Sequence, residues 1–133
     1  MEIIIDNPPN IGRIRQFLNP PKNAVFAYGN KIYNPDNIKI WPDLEEHEKV
    51  HQRQQENQGG PDIWWEKYLQ LPDFRLDQEI EAYATQLKFW KEKTNLNNKE
   101  LKNILYEMAK ALSNDYNLSI SYTEAENKIR KFI

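Results

Sequence analysis

The chain of 133 residues has no cysteine, only two histidines and no surplus of positive charge, with 18 Lys and Arg against 20 Asp and Glu. Each shortage excludes something. Without cysteine there is no disulfide framework and no thiolate zinc site, so any zinc must be held by histidine and carboxylate. At a net charge of −2 the composition offers no nucleic-acid-binding surface. No apolar run approaches a membrane span, and the N-terminal Ile3-Ile4-Ile5 is far short of a signal-peptide core. The expectation is a cytoplasmic protein with no membrane and no nucleic-acid partner. Its length suits one domain, residues 1–133, around a single core.

Both histidines fall in one pentapeptide, His47-Glu48-Lys49-Val50-His51, which reads H-E-x-x-H. On a helix, positions four apart share a face about one turn from each other, so both imidazoles can reach one metal ion. The Glu between them then sits beside that ion, where it can take a proton from an activated water. This is the spacing of a zinc-peptidase helix, with His47 and His51 as ligands and Glu48 as general base.

The first third of the chain carries the strand signals, at 24–41. Ala24 to Tyr28, then Gly29-Asn30, then Lys31-Ile32-Tyr33 predicts a tight hairpin with a two-residue turn. Asn37 to Trp41 alternates polar and apolar and suggests a further short strand. Before the hairpin, Pro8-Pro9 and Pro20-Pro21 bracket a short amphipathic piece from Ile11 to Leu18. Helices are expected over 43–58, 62–70, 73–94, 98–112 and 122–133. Asp43 is the expected N-cap of the first, with Glu46 three residues on. Gly59-Gly60 stops that helix, and Ser121-Tyr122-Thr123-Glu124 is a capping box for the last. The fold class is α+β, predominantly helical, with a small antiparallel sheet ahead of the histidine helix.

Catalytic zinc needs three protein ligands and one open position. With no third histidine, the third must be Asp or Glu, and the 73–94 helix offers Asp77, Glu79 and Glu81. At about 100° per residue from Leu76, Glu79 falls roughly 60° from the apolar stripe, Asp77 about 100° and Glu81 about 140°. Glu79 therefore borders the buried face and is the expected ligand, while Glu81 should be solvated. Tyr83, four residues on, shares the Glu79 face and could place its hydroxyl on a ligand histidine. Ala82 is small enough to let the two helices approach closely.

His47-Glu48-Lys49-Val50-His51, followed 28 residues after His51 by Glu79-Ile80-Glu81-Ala82-Tyr83, resembles the gluzincin pattern of H-E-x-x-H and E-x-x-A on the next long helix. The likeness covers about residues 24–92 and is to the smallest members of that clan, including phage-encoded metallopeptidases. It implies one zinc ion per chain held by His47, His51 and Glu79, with Glu48 as base and proton shuttle. It also implies a peptide or protein substrate that pairs with an edge strand within Val25–Trp41. In phage-encoded relatives such a protein would act in the host cytoplasm or the virion.

The sequence departs from the pattern at Tyr83, where gluzincins often carry an Asp that orients a ligand histidine. An uncharged partner there would lower zinc affinity about 10–100-fold. No spare histidine is left to stabilise the oxyanion, which leaves Tyr28, Tyr33, Tyr68, Tyr122, Arg53 and Arg75 open. Trp64, Trp65 and Tyr68 read first as core, and Gln54 and Gln55 equally as site or surface. Two rivals stand beside a general peptidase: a protease dedicated to one protein, like the anti-repressor proteases of mobile elements, and a non-catalytic structural or virion module.

Overall fold

Three prolines start the three helices that build the candidate site. Pro42, Pro61 and Pro72 each sit in the first helical turn, where a missing N–H costs nothing and the fixed φ is already helical. The computed structural model describes residues 1–133 as an α+β fold, predominantly helical. Its elements run β1 (Glu2–Ile4), α1 (Ile11–Phe17), β2 (Phe26–Tyr28), β3 (Lys31–Tyr33), α2 (Pro42–Asn57), α3 (Pro61–Gln70), α4 (Pro72–Lys93), α5 (Asn98–Asn114) and α6 (Tyr122–Phe132). No helix is long and apolar enough to cross a membrane.

The hairpin forms as expected, with Tyr28 opposite Lys31 across Gly29-Asn30 and Gly29 at φ +62°. The sheet differs from the expectation in two ways. Its third strand is β1, not the 37–41 segment, and β1 runs parallel to β3, so the sheet is mixed in the order β1-β3-β2. The β-branched pair Ile3-Ile4 favours that strand. Residues 37–41 stay irregular because the Asn34 side chain takes both backbone groups of Ile38, while Asn37 adopts φ +51°. A strand there would need those same groups.

Helix ends bring a second correction. Asp43 is not the N-cap of α2; Trp41 holds that position, and the Asp43 side chain turns inward, where it accepts from Gln86 and Trp90. Gly59 and Gly60, at φ +94° and +124°, stop α2 and swing the chain into α3, a backbone conformation that costs glycine little. At α6, Ser121 accepts from the Glu124 N–H, but the Glu124 carboxylate receives the Ser121 hydroxyl, so the box is half made. Asn97 and Glu100 complete a reciprocal box at α5 instead.

Two apolar clusters hold the helices together. Ile80, Ala84 and Leu87 of α4 pack against Leu105, Met108, Ala109 and Leu112 of α5 and Ala125 and Ile129 of α6. Trp64, Trp65, Tyr68 and Leu69 of α3 pack with Ile14 of α1 and Phe26 of β2. Burying such side chains stabilises the fold by about 1.5–3 kcal/mol each. Between the clusters, α2 lies along α4 in the most extensive contact between any two elements. Ala82 is fully buried on α4, in keeping with the close approach its size permits.

The candidate metal centre

Helix periodicity places His47 and His51 one turn apart on α2, and Glu79, Tyr83 and Gln86 in a row along α4. The α2–α4 contact turns these rows toward each other. His47 Nε2 lies 3.2 Å from Glu79 Oε1, and His51 Nε2 lies 3.2 Å from Glu79 Oε2. The carboxylate thus divides its two oxygens between the two imidazoles. His47, Glu48 and His51 also bring one potential ligand atom each to within 4.8 Å of one another, all buried, and this group can hold a metal ion.

The far side of each imidazole fixes its tautomer. Gln86 donates through Nε2 to Asp43 Oδ2 at 2.8 Å, which turns its Oε1 to His47 Nδ1 at 3.0 Å. Gln54 donates through Nε2 to Gln78 O and Glu81 Oε1, which turns its Oε1 to His51 Nδ1 at 2.8 Å. Both Nδ1 atoms therefore carry hydrogen and donate to amide oxygens. In the neutral imidazole each Nε2 then holds only a lone pair, aimed at a carboxylate oxygen. Lone pair facing lone pair at 3.2 Å repels, so a proton or a metal cation must lie between them.

The donor set fits a divalent ion. A tetrahedral zinc with bonds of about 2.0–2.1 Å leaves its ligands about 3.3 Å apart, close to the 3.2 Å separations here. Beside them, Glu48 is only 4% exposed, and its buried Oε2 has no hydrogen-bond partner at all. An ionised oxygen of this kind costs several kcal/mol unless a cation, water or substrate answers it.

The electrostatics follow the geometry. Burial alone would raise the Glu79 carboxyl, but His51 and His47 outweigh it and hold the group well below the usual range. Burial alone would lower His51, yet the Glu79 carboxylate and its hydrogen bond push that imidazole up to about 9 in the metal-free protein. For Glu48 burial dominates the attraction of the two histidines, and its carboxyl is raised.

The other expected residues divide. Tyr83 does not reach a ring nitrogen; its edge packs on His47 at 4.6 Å between centroids and its hydroxyl bonds to that of Tyr116. Gln86, one turn further along the same face, takes the place expected for Tyr83. Glu81 is half-buried under Gln54 and not solvated, whereas Asp77 is exposed. Tyr68 joins the site and donates to Glu79 Oε2 at 2.5 Å. Arg75 does not: it is buried and donates to the carbonyls of Tyr68, Leu69, Tyr116 and Asn117, clamping the end of α3 to the α5–α6 loop. Tyr28 bonds to Asp62, Tyr33 stands edge-on to Tyr28, Tyr122 accepts from Asn114, and Arg53 is exposed. Gln55 pins the hairpin by accepting from Gly29 N–H and donating to Ala27 O.

Sequence reading missed the inward role of Asp43, which has the look of an N-cap, and of Gln86, which looks like an ordinary helix-surface residue. One signal was available: Gln86 is seven residues beyond Glu79, so it shares the Glu79 face.

The site opens into a cleft of about 300 Å³ between α1, the 18–27 segment, α3 and the α5–α6 loop. A scan against protein-family models, a search of the curated proteins and a search of the solved structures each return no match for this chain.

Proposed function

We propose that the protein is a zinc-dependent peptidase of gluzincin type, with His47, His51 and Glu79 as ligands and Glu48 as general base. The observation that carries this reading is the pairing of two Nε2 lone pairs on one carboxylate with a buried, unpartnered Glu48 oxygen beside them. Zinc bound there would supply Lewis acidity, lowering the pKa of a water toward neutrality and polarising a peptide carbonyl.

The chain's own groups do the rest. Glu48 accepts a proton from the attacking water as its oxygen bonds to the carbonyl carbon. It then returns that proton to the nitrogen as the C–N bond breaks, so one water is consumed and a carboxylic acid and an amine leave. The raised carboxyl of Glu48 suits both halves of this exchange. Tyr68 keeps Glu79 in place through its hydroxyl. The Ala27 carbonyl on the outward edge of β2 is already taken by Gln55 and Trp65, so a substrate strand would pair upstream, at Val25.

A non-catalytic, zinc-stabilised module would gain nothing from burying a carboxylate such as Glu48 without a partner. A protease dedicated to one protein would use the same chemistry and differ only in what the cleft admits. Metal analysis with a peptide-cleavage screen tests the reading. Close to one zinc per chain, lost in His47→Ala, together with cleavage lost in Glu48→Gln, is the expected result. Protein that takes up no zinc, or cleavage that survives Glu48→Gln, would end it.

A further inference from the structure

Beyond the histidine–carboxylate group, the cleft wall is mostly apolar, with Ile14, Leu18, Pro21, Val25, Phe26 and Trp65 among its lining residues. No lysine or arginine lines it. One further charged residue does: Asp115, on the loop that follows α5.

Asp115 is poorly placed for folding. It caps the C-terminus of α5, where the helix dipole already presents partial negative charge, and the last turn of α5 contains no basic residue. None of the ion pairs of the molecule includes it. It is also held firmly. Arg75, itself 2% exposed, donates to the carbonyls of Tyr116 and Asn117, and the Tyr116 hydroxyl bonds to Tyr83 against His47. A negative charge that helps neither its helix nor a partner is thus fixed at the wall of the cleft.

We propose that Asp115 is a specificity-determining residue, selecting polypeptide substrates that carry a lysine or arginine beside an apolar side chain seated in the cleft. This rests on the peptidase reading for turnover, but not for binding. Cleft charge of one sign repels acidic segments as well as attracting basic ones, so discrimination comes from both. An exposed pair of this kind is worth roughly a three- to fivefold preference, and salt should shrink it.

The test uses two fluorogenic peptides identical except for Lys or Glu next to a central Leu-Phe segment. Cleavage is followed by zinc-loaded wild type, Asp115→Asn and Asp115→Lys, and binding by the fluorescence of the cleft tryptophans Trp64 and Trp65. The Lys peptide should be preferred by wild type roughly three- to fivefold, in kcat/KM and in binding alike. The preference should vanish in Asp115→Asn and reverse in Asp115→Lys. Charge-selective binding without turnover would sink the peptidase reading and leave the role of Asp115 standing. A preference that ignores the residue at 115, in either readout, overturns the inference.

Discussion

Replacing Glu79 by Gln keeps the shape of the side chain and removes its charge, which separates a ligand from a bystander. The Glu79 oxygens lie 3.2 Å from each imidazole Nε2, and Oε2 also receives the Tyr68 hydroxyl. In the variant the amide oxygen can keep Tyr68 while the NH₂ faces an imidazole lone pair, so the metal-free fold should survive. Zinc, however, loses an anionic ligand. Losing even an outer partner of a ligand costs about 10–100-fold in affinity, so losing the ligand itself should exceed about 100-fold, or about 2.7 kcal/mol. The matched control is Glu81→Gln, two residues away. Its new amide oxygen still accepts from Gln54, which also holds the Gln78 carbonyl at 3.0 Å, so the partner of His51 stays in place. An affinity change of about threefold or less is expected, the scale of an ordinary surface charge. Competition against a chromophoric chelator reads both constants. A thermal melt gives a second readout: zinc at about 100 times its Kd should add about 2.7 kcal/mol to wild type and raise Tm by about 10 °C, with no such shift in Glu79→Gln. Equal losses in the two variants would refute the argument that places Glu79, and not Glu81, on the metal.

Glu48→Gln should retain zinc within about threefold while kcat falls by about 10²–10⁴, the usual contribution of a general base; metal analysis beside single-turnover cleavage checks both halves. Gln86→Leu frees His47 Nδ1 and leaves Asp43 with Trp90 as its remaining partner, so zinc affinity should drop about 10–100-fold with the fold intact by circular dichroism. Against the effect of burial, the Glu79 carboxylate in the metal-free protein pushes His51 up to about 9 from the ordinary imidazole value of about 6.5. Its pairing with Glu79 therefore stabilises that form fully below about pH 6.5 and is lost as pH rises through about 9, which denaturant melts across that range will show. Zinc must displace the same proton, so its apparent affinity should climb about tenfold per pH unit from 7 to 9, and a flat profile would contradict the His51 assignment.

How far the sequence was legible depended on the range of the interaction. The two histidines and glutamate on one helix, the Gly-Asn turn and the Pro-started helices are all encoded within a few residues, and the structure forms each of these elements, though α2 is capped by Trp41 and not Asp43. The angle argument that set Glu79 at the border of the buried face agrees with its burial, because a helix face is a local property, while Glu81, expected in solvent, is half-buried under Gln54. Partners across the α2–α4 contact were not legible. Asp43 has the look of an N-cap in sequence, and only the packing of α4 shows Gln86 and Trp90 drawing it inward. Tyr83 was given a ring nitrogen that Gln86 occupies, since both share the Glu79 face and only the distance along the helix decides between them. The pairing of β1 with β3 joins residues about 30 apart through irregular chain, and no local period announces it.

The amides at Gln54 and Gln86 bear on how so many ionisable groups can share one buried site. With a divalent ion, the charges of Glu48 and Glu79 cancel that of the metal. Without it, the proton on His51 offsets Glu79, and burial drives Glu48 toward its neutral form. Both states thus approach zero net charge, the condition under which low-dielectric surroundings are least costly. A carboxylate set directly on either Nδ1 would upset that balance by a full unit. Neutral amides orient the rings without doing so, and Asp43 acts one residue removed, through Gln86. Zinc entry is then an exchange of one ion for about one to two protons at nearly constant charge. Calorimetry in buffers of different ionisation enthalpy counts those protons directly, and a count near zero would mean that His51 was never paired with Glu79 as acid and base.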